Sequence, residues 1–154
     1  MSSRDIRYQA AVMDGDRLLL LRCAPHDEAP FWMLPGGGRE AGESAEACVA
    51  REVREESEID VAVGPLLYEV PADPPDGTYQ RWRTYLCRVI RGEAAPGGGE
   101  GWAEITAVRW LPLDDPAEWD AELCADPFIH PQLLRIRAAL RAMSMAAGDD
   151  PAVG

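Results

Sequence analysis

The order of elements along this chain predicts an α+β or α/β/α sandwich domain. Three observations carry that reading. Strand-like runs precede and follow one charged helix, a second helical pattern comes last, and 154 residues suit a single domain able to bury a proper core.

In chain order, Ile6, Tyr8, Ala10 and Val12 alternate with Arg7 and Gln9, the pattern of a half-buried strand. Asp14-Gly15-Asp16 is a hairpin turn signal, and residues 18–21, all leucine, follow as a more buried strand. Residues 24–30 hold two prolines, which exclude a central strand there. Residues 31–34 form a short extended run that stops at Pro35 before Gly36, Gly37 and Gly38. That glycine loop can pass close to other groups or to a ligand. It lacks a following Gly-Lys-Ser/Thr, so it is no P-loop.

After the helix, residues 61–70 read as a strand interrupted at Gly64-Pro65, and residues 71–78 as a loop. Residues 79–91 are the best strand of the second half, with Trp82, Thr84 and Leu86 on one face and Tyr79, Tyr85 and Cys87 on the other. Residues 92–101 read as a flexible glycine-rich loop. A strand over 104–111 stops at Pro112, a short helix is expected within 114–123, and helical spacing runs from Pro131 to about Met143. The domain is expected over residues 1–145, with 146–154 a disordered tail.

The charged helix begins at Ser44, well placed as N-cap, with Glu46 in the first turn. At about 100° per residue, Ala45, Cys48, Val49, Glu52, Glu55, Glu56 and Ile59 fall on one arc of roughly 120°. Three carboxylates thus continue the stripe that apolar residues begin. Crowded carboxylates facing inward repel and lose hydration unless a cation compensates them. Oxygen-only ligands of this kind suit Mg²⁺ or Mn²⁺. The alternative is an ordinary amphipathic helix with surplus acid, turned to bury Ala50 and Val53 instead.

Spacing separates the two. Gly37, Glu43, Arg51, Glu52, Val53, Glu55, Glu56 and Ile59 stand in the register G-x(5)-E-x(7)-R-E-U-x-E-E-x-G-U, with U a bulky aliphatic residue. The stretch resembles the box of the Nudix hydrolase family, of MutT type, at eight of nine specified positions; Glu58 replaces the box glycine. A glycine there could take a left-handed helix cap, so Glu58 bears on how the helix ends. The resemblance covers roughly residues 5–143 and implies the Nudix fold, an α/β/α sandwich with a mixed β-sheet between helices. It also implies divalent-metal dependence and hydrolysis of a diphosphate bond in a nucleoside diphosphate linked to another group.

The same resemblance implies that Glu52, Glu55 and Glu56 are metal ligands and that the Gly37 carbonyl can help. It implies that Arg51 pairs with Glu43 to orient the loop against the helix; a plain surface salt bridge is the alternative. Glu104, six residues before Trp110, resembles an auxiliary metal-binding acid, with Glu100 as competitor and solvated loop acids as the alternative. The general base is open between a box glutamate and a later acid.

Phe31, Trp32, Tyr79, Trp82 and Trp102 could stack on a base, although aromatics at strand ends also serve as core. Pro74 and Pro75 resemble a weak marker of ADP-ribose-type hydrolases. The small domain favours a nucleoside triphosphate or similarly small nucleotide as substrate. The alternatives are ADP-ribose or a nucleotide sugar, and a catalytically silent nucleotide-binding domain.

The charge of 15 − 27 = −12 argues against a nucleic-acid polymer as partner. The four cysteines make no CxxC pair and the two histidines, His26 and His130, are far apart, so zinc is not expected. Isolated cysteines read as reduced core residues. With no membrane-length apolar run and no signal-like N-terminus, the expectation is a cytoplasmic protein, monomer or homodimer.

Overall fold

The computed structural model describes residues 5–72, 79–99, 101 and 103–148. Pro74, Pro75, Glu100, Trp102 and residues 149–154 of the expected tail lie outside the described residues.

β1 (Ile6–Asp14) and β2 (Arg17–Pro25) form the expected hairpin, with Gly15 at φ +63° in its turn. They pair only at Met13↔Leu18 and Asp14↔Arg17 and then part. The wedge between them is filled by two short strands. β3 (Phe31–Met33) pairs with β2, and β4 (Gly36–Gly37) pairs with β1 through Tyr8↔Gly37 and Gln9↔Gly36. The glycines expected as loop are therefore partly a sheet rung. The reason is proximity: a Cβ on Gly36 would stand 2.5 Å from the Tyr8 carbonyl oxygen.

β6 (Arg81–Arg91) lies parallel to β1, and β5 (Asp60–Pro71) pairs antiparallel with it as the far edge. The interruption at Gly64-Pro65 is a register shift in β5, where a Cβ on Gly64 would meet the Leu86 carbonyl oxygen at 2.9 Å. β7 (Ala103–Pro112) pairs along the other side of β2. β2 itself runs on through Ala24 to Pro25, beyond the expected limit, because β3 has already ended at Cys23 and the prolyl residue occupies a terminal rung.

Strand alternation divides the core into two layers. Tyr8, Ala10, Val12, Leu19 and Leu21 pack with Cys48, Val49 and Val53 of α1 (Ala45–Ser57). Ala11, Leu18, Leu20 and Leu34 pack on the opposite side with Leu133 and Ile136 of α3 (Ile129–Gly148). The result is the expected α/β/α sandwich around a mixed sheet. α3 runs past Met143 and takes in Ala146, Ala147 and Gly148 of the expected tail, because the helical hydrogen bonding continues through them. The expected helix within 114–123 is split: a 3₁₀ turn (Pro116–Glu118) precedes α2 (Ala121–Ala125), and buried Trp119 sits at the break with its Nε1 donating to the Pro112 carbonyl at 2.9 Å. Cys23, Cys48 and Cys87 are buried free thiols as expected, whereas Cys124 is exposed. Among the described residues no helix is long and apolar enough to cross a membrane.

The Ser44 hydroxyl caps α1 by accepting from the Ala47 amide at 3.1 Å. The buried side comprises Cys48, Val49, Glu52, Val53, Glu56 and Ser57, so the inward arc is turned relative to the expected one. Val53 joins the core, and Glu55 moves to the rim. Burying a valine removes apolar surface, and Ser57 is satisfied by donating to the Val53 carbonyl at 2.6 Å.

The glycine-rich segment after β6, expected to be a flexible loop, instead caps this helix. The amides of Ala95, Gly97 and Gly98 donate to the carbonyls of Ser57, Glu56 and Glu55 at 3.0, 2.9 and 2.8 Å. These are the carbonyls a helix C-terminus leaves without intrahelical partners. A Cβ on Gly97 would stand 2.1 Å from the Glu55 carbonyl oxygen, so glycine is required for the approach.

Glu58 ends α1 at φ 63°, ψ 22°, with its amide donating to the Arg54 carbonyl at 3.0 Å. A non-glycine residue in this region pays about 1 kcal/mol. Glu58→Gly should therefore raise stability by several tenths to about 1 kcal/mol, after the extra unfolded-chain entropy of glycine is subtracted. Paired thermal melts measure it; a lower melting temperature for the variant would contradict the strain.

Candidate active site

α1 presents Glu52 and Glu56 toward β4 on its inner side, with only 4% and 5% of each residue exposed. Glu56 Oε1 accepts the Gly36 amide at 2.8 Å. A Cβ on Gly37 would lie 2.5 Å from Glu52 Oε1, so the absence of a side chain there makes the space for that carboxylate. β4 thus both supplies a donor to one acid and yields room to the other.

Arg51 gathers the rest. Its Nε and Nη2 grip the Glu43 carboxylate at 2.7 and 3.0 Å, Nη1 donates to Glu52 Oε1 at 3.0 Å and to Glu55 at 3.2 Å, and Nη2 reaches the Gly38 carbonyl at 3.2 Å. Glu43 also accepts the Glu40 amide at 3.1 Å. The paired guanidinium holds the Glu43 carboxyl below the ordinary carboxylate value, and the surrounding carboxylates push Arg51 upward. This is the expected Glu43–Arg51 pairing, extended into a tie between the glycine segment and two box acids.

These groups floor a cleft of about 890 Å³. Gly36, Gly37, Gly38, Arg51, Glu52, Glu55 and Glu56 line one side; Arg7, Phe31, Met33, Tyr79 and Phe128 contribute to the rest, with Cys23, Ala103 and Ile105. Phe31 and Tyr79, two of the aromatics expected to stack on a base, line this cleft.

Four expected site residues do not line the cleft. Glu104 is exposed between Ala103 and Ile105, and because those two line the cleft, strand alternation turns Glu104 to the other face. Trp32 is opposite to Phe31 and Met33 on β3 for the same reason. It packs on the α3-side core with Arg22 and Arg109 over its ring at 5.2 and 5.6 Å. Trp82 is fully buried and meets Phe128 edge-on at 5.2 Å, backing the cleft wall without touching its space. Glu43 does not line the cleft; it is the carboxylate that Arg51 grips.

Arg7, Met33 and Phe128 were missed. Arg7 read as an outward polar residue of an alternating strand, and Phe128 lies far from the box with no pattern around it. Its one signal was rarity, being one of two phenylalanines.

Glu52, Glu56 and the Gly37 carbonyl are oxygen donors of the kind that fits a hard divalent cation. Among the described residues no three acidic, cysteine or histidine side chains form a finished ligand cage. Glu52 is engaged by Arg51 and Glu56 by the Gly36 amide.

A three-layer sandwich whose central helix turns buried glutamates into a cleft over a glycine strand defines the class. The family model of the NUDIX domain matches residues 5–131. A "MutT-like protein" of Streptomyces ambofaciens is 36% identical over 115 residues, covering 74% of this chain and 67% of its own length. A Mycobacterium tuberculosis protein provisionally named 8-oxo-dGTP diphosphatase 2 is 32% identical over 119 residues, covering 73% of this chain and 83% of its own. Among solved structures, an ADP-ribose pyrophosphatase from Streptococcus suis superposes with TM-score 0.66 at 25% identity, covering 90% and 92% of the two chains. The chain belongs to the Nudix family and is a MutT-type Nudix hydrolase.

The Glu43–Arg51 pair has a pH signature. Glu43's folded pKa is depressed, so its contribution is complete above the ordinary value of 4.5 and is lost as pH falls through the lowered one. Glu43→Gln should cost on the order of 1–2 kcal/mol at neutral pH, with the gap to wild type closing in acid. Urea melts at pH 7 and pH 3 test this, and a gap that widens in acid would refute the pairing.

Proposed function

We propose that this chain is a Mg²⁺- or Mn²⁺-dependent hydrolase of a nucleoside triphosphate or similarly small nucleotide, releasing the monophosphate and pyrophosphate. The carrying observation is the pair of buried acids, Glu52 and Glu56, beside Gly37 in a cleft that also holds Phe31 and Tyr79. Glu52, Glu55, Glu56 and the Gly37 carbonyl would hold the cation. When bound, it would neutralise phosphoryl oxygens and acidify water for attack on phosphorus.

The chain's own residues supply the rest. Arg51, fixed by Glu43, sets the Glu52 carboxylate and the Gly38 backbone in place, and Glu56 braces β4 through the Gly36 amide. Glu55, with 54% of its side chain exposed, is the box acid that solvent reaches, suited to accept a proton from water. Phe31 and Tyr79 offer apolar surface to the base. The name of the mycobacterial relative supports a nucleoside triphosphate. ADP-ribose is the second reading, supported by the name of the streptococcal structure. A silent nucleotide-binding domain is disfavoured by the presence of all three box acids. The acidic charge and three buried free thiols support a cytoplasmic protein, acting as monomer or homodimer.

Glu56→Gln keeps an acceptor for the Gly36 amide, so the protein should stay folded. Its turnover with Mg²⁺ should fall by at least two orders of magnitude, about 2.7 kcal/mol in barrier. A rate equal to wild type, with unchanged Mg²⁺ dependence, would remove Glu56 from the site.

The substrate is tested by kcat/KM over a matched panel of triphosphates, ADP-ribose and nucleotide sugars. Triphosphates should lead. A tenfold preference for ADP-ribose, about 1.4 kcal/mol in transition-state binding, would reject them and leave a diphosphate hydrolase.

A further inference from the structure

Arg7 reaches the cleft from β1 already fixed in place. Its Nε donates to Gln9 Oε1 at 3.1 Å, and Nη2 donates to the Leu34 carbonyl at 3.0 Å with Met33 Sδ at 3.9 Å. Its guanidinium carbon lies over the Tyr79 ring at 6.0 Å. Gln9 is fully buried and is itself held by Thr84 Oγ1 at 3.0 Å and Gln132 Oε1 at 2.8 Å. A polar chain running through the sheet to α3 therefore supports this side chain from below. Much of its rotamer entropy is lost before any ligand arrives.

A guanidinium has five N–H donors. Among the described residues nothing accepts from Arg7 Nη1, and no carboxylate forms an ion pair with Arg7. Arg51, the other arginine fixed at this cleft, is spent on Glu43, Glu52, Glu55 and Gly38. Phe31 and Phe128, which meet edge-on at 5.9 Å, and Met33 line the cleft together with Arg7, as do the acids Glu28 and Glu56. The carboxylates that would take cation and phosphates stand on the α1 wall. The base of the substrate then falls on the aromatic side. Aromatic walls accept any base, whereas a fixed pair of donors does not.

We propose that Arg7 is the base-reading residue of this cleft. Its Nη1 donors select bases that present acceptors on the edge turned toward them, O6 and N7 of guanine or O4 of uracil. Bases that present an amine there, N6 of adenine or N4 of cytosine, are disfavoured. The inference rests on the nucleotide-hydrolase reading above and adds the substrate's base class to it.

The test compares wild type with Arg7→Met and Arg7→Lys. Dissociation constants of GMP, AMP, UMP and CMP are measured alongside kcat/KM for the four triphosphates, with melting temperatures as the folding control. Wild type should favour GMP over AMP and UMP over CMP tenfold or more, and both ratios should fall toward one in Arg7→Met. Arg7→Lys keeps the charge without the planar fork and should lose most of the discrimination too; it carries the test should Arg7→Met not fold. An equal loss for all four bases would make Arg7 a phosphate contact and overturn the proposal, as would a wild-type preference for adenine or cytosine. Base-selective binding without cleavage of any triphosphate would fail the hydrolase reading and leave the base reading intact. Cleavage of all four with equal efficiency would do the reverse.

Discussion

Two carboxylates buried on the inward side of one helix set the terms for everything around them. Desolvating an ionised acid costs several kcal/mol unless donors or countercharge replace the lost water. Here each acid has its own answer. Glu56 takes a backbone amide from β4, and Glu52 takes a guanidinium that is itself anchored by Glu43. Both answers need the chain at residues 36–38 to press against α1, and a Cβ on Gly37 would displace the Glu52 carboxylate from its present place.

That requirement explains the divided sheet. β1 and β2 pair for two rungs and separate, which leaves β1 free to bind the glycine strand and β2 free to bind β3. The same separation opens the cleft. Its two sides then differ in chemistry because they come from different elements. The box acids come from α1, whereas Arg7 comes from β1, Phe31 and Met33 from β3, Tyr79 from just before β6 and Phe128 from just before α3.

The C-terminus of α1 shows how the site is kept rigid. Glu55 and Glu56 lie in the last turn, whose carbonyls have no partners within the helix. The glycine-rich segment after β6 supplies those partners through three amides. Helix ends fray when left to solvent, and this cap holds the acids at the position the cleft requires. Glu58 in a left-handed conformation turns the chain at once, so that Ile59 re-enters the core.

Local chemistry, written in single residues, was readable without coordinates. The Ser44 cap, the hairpin at Gly15, the break at Gly64-Pro65 and the left-handed demand at position 58 each depend on a few neighbours. The box spacing likewise brought Gly37, Glu43, Arg51, Glu52, Glu55 and Glu56 together, because one helical period and one loop length determine it. What needed the tertiary structure was the direction of side chains whose strands have two plausible faces. Trp32 and Glu104 sit one position away from residues that do line the cleft, and a period of two sends them elsewhere, while Trp82 is buried behind the wall against Phe128. Arg7 and Phe128 enter the site from elements distant in sequence, so no spacing rule could connect them to it. The glycine-rich segment read as flexible because its partners, the last carbonyls of α1, are visible only once the helix end and the segment are packed together.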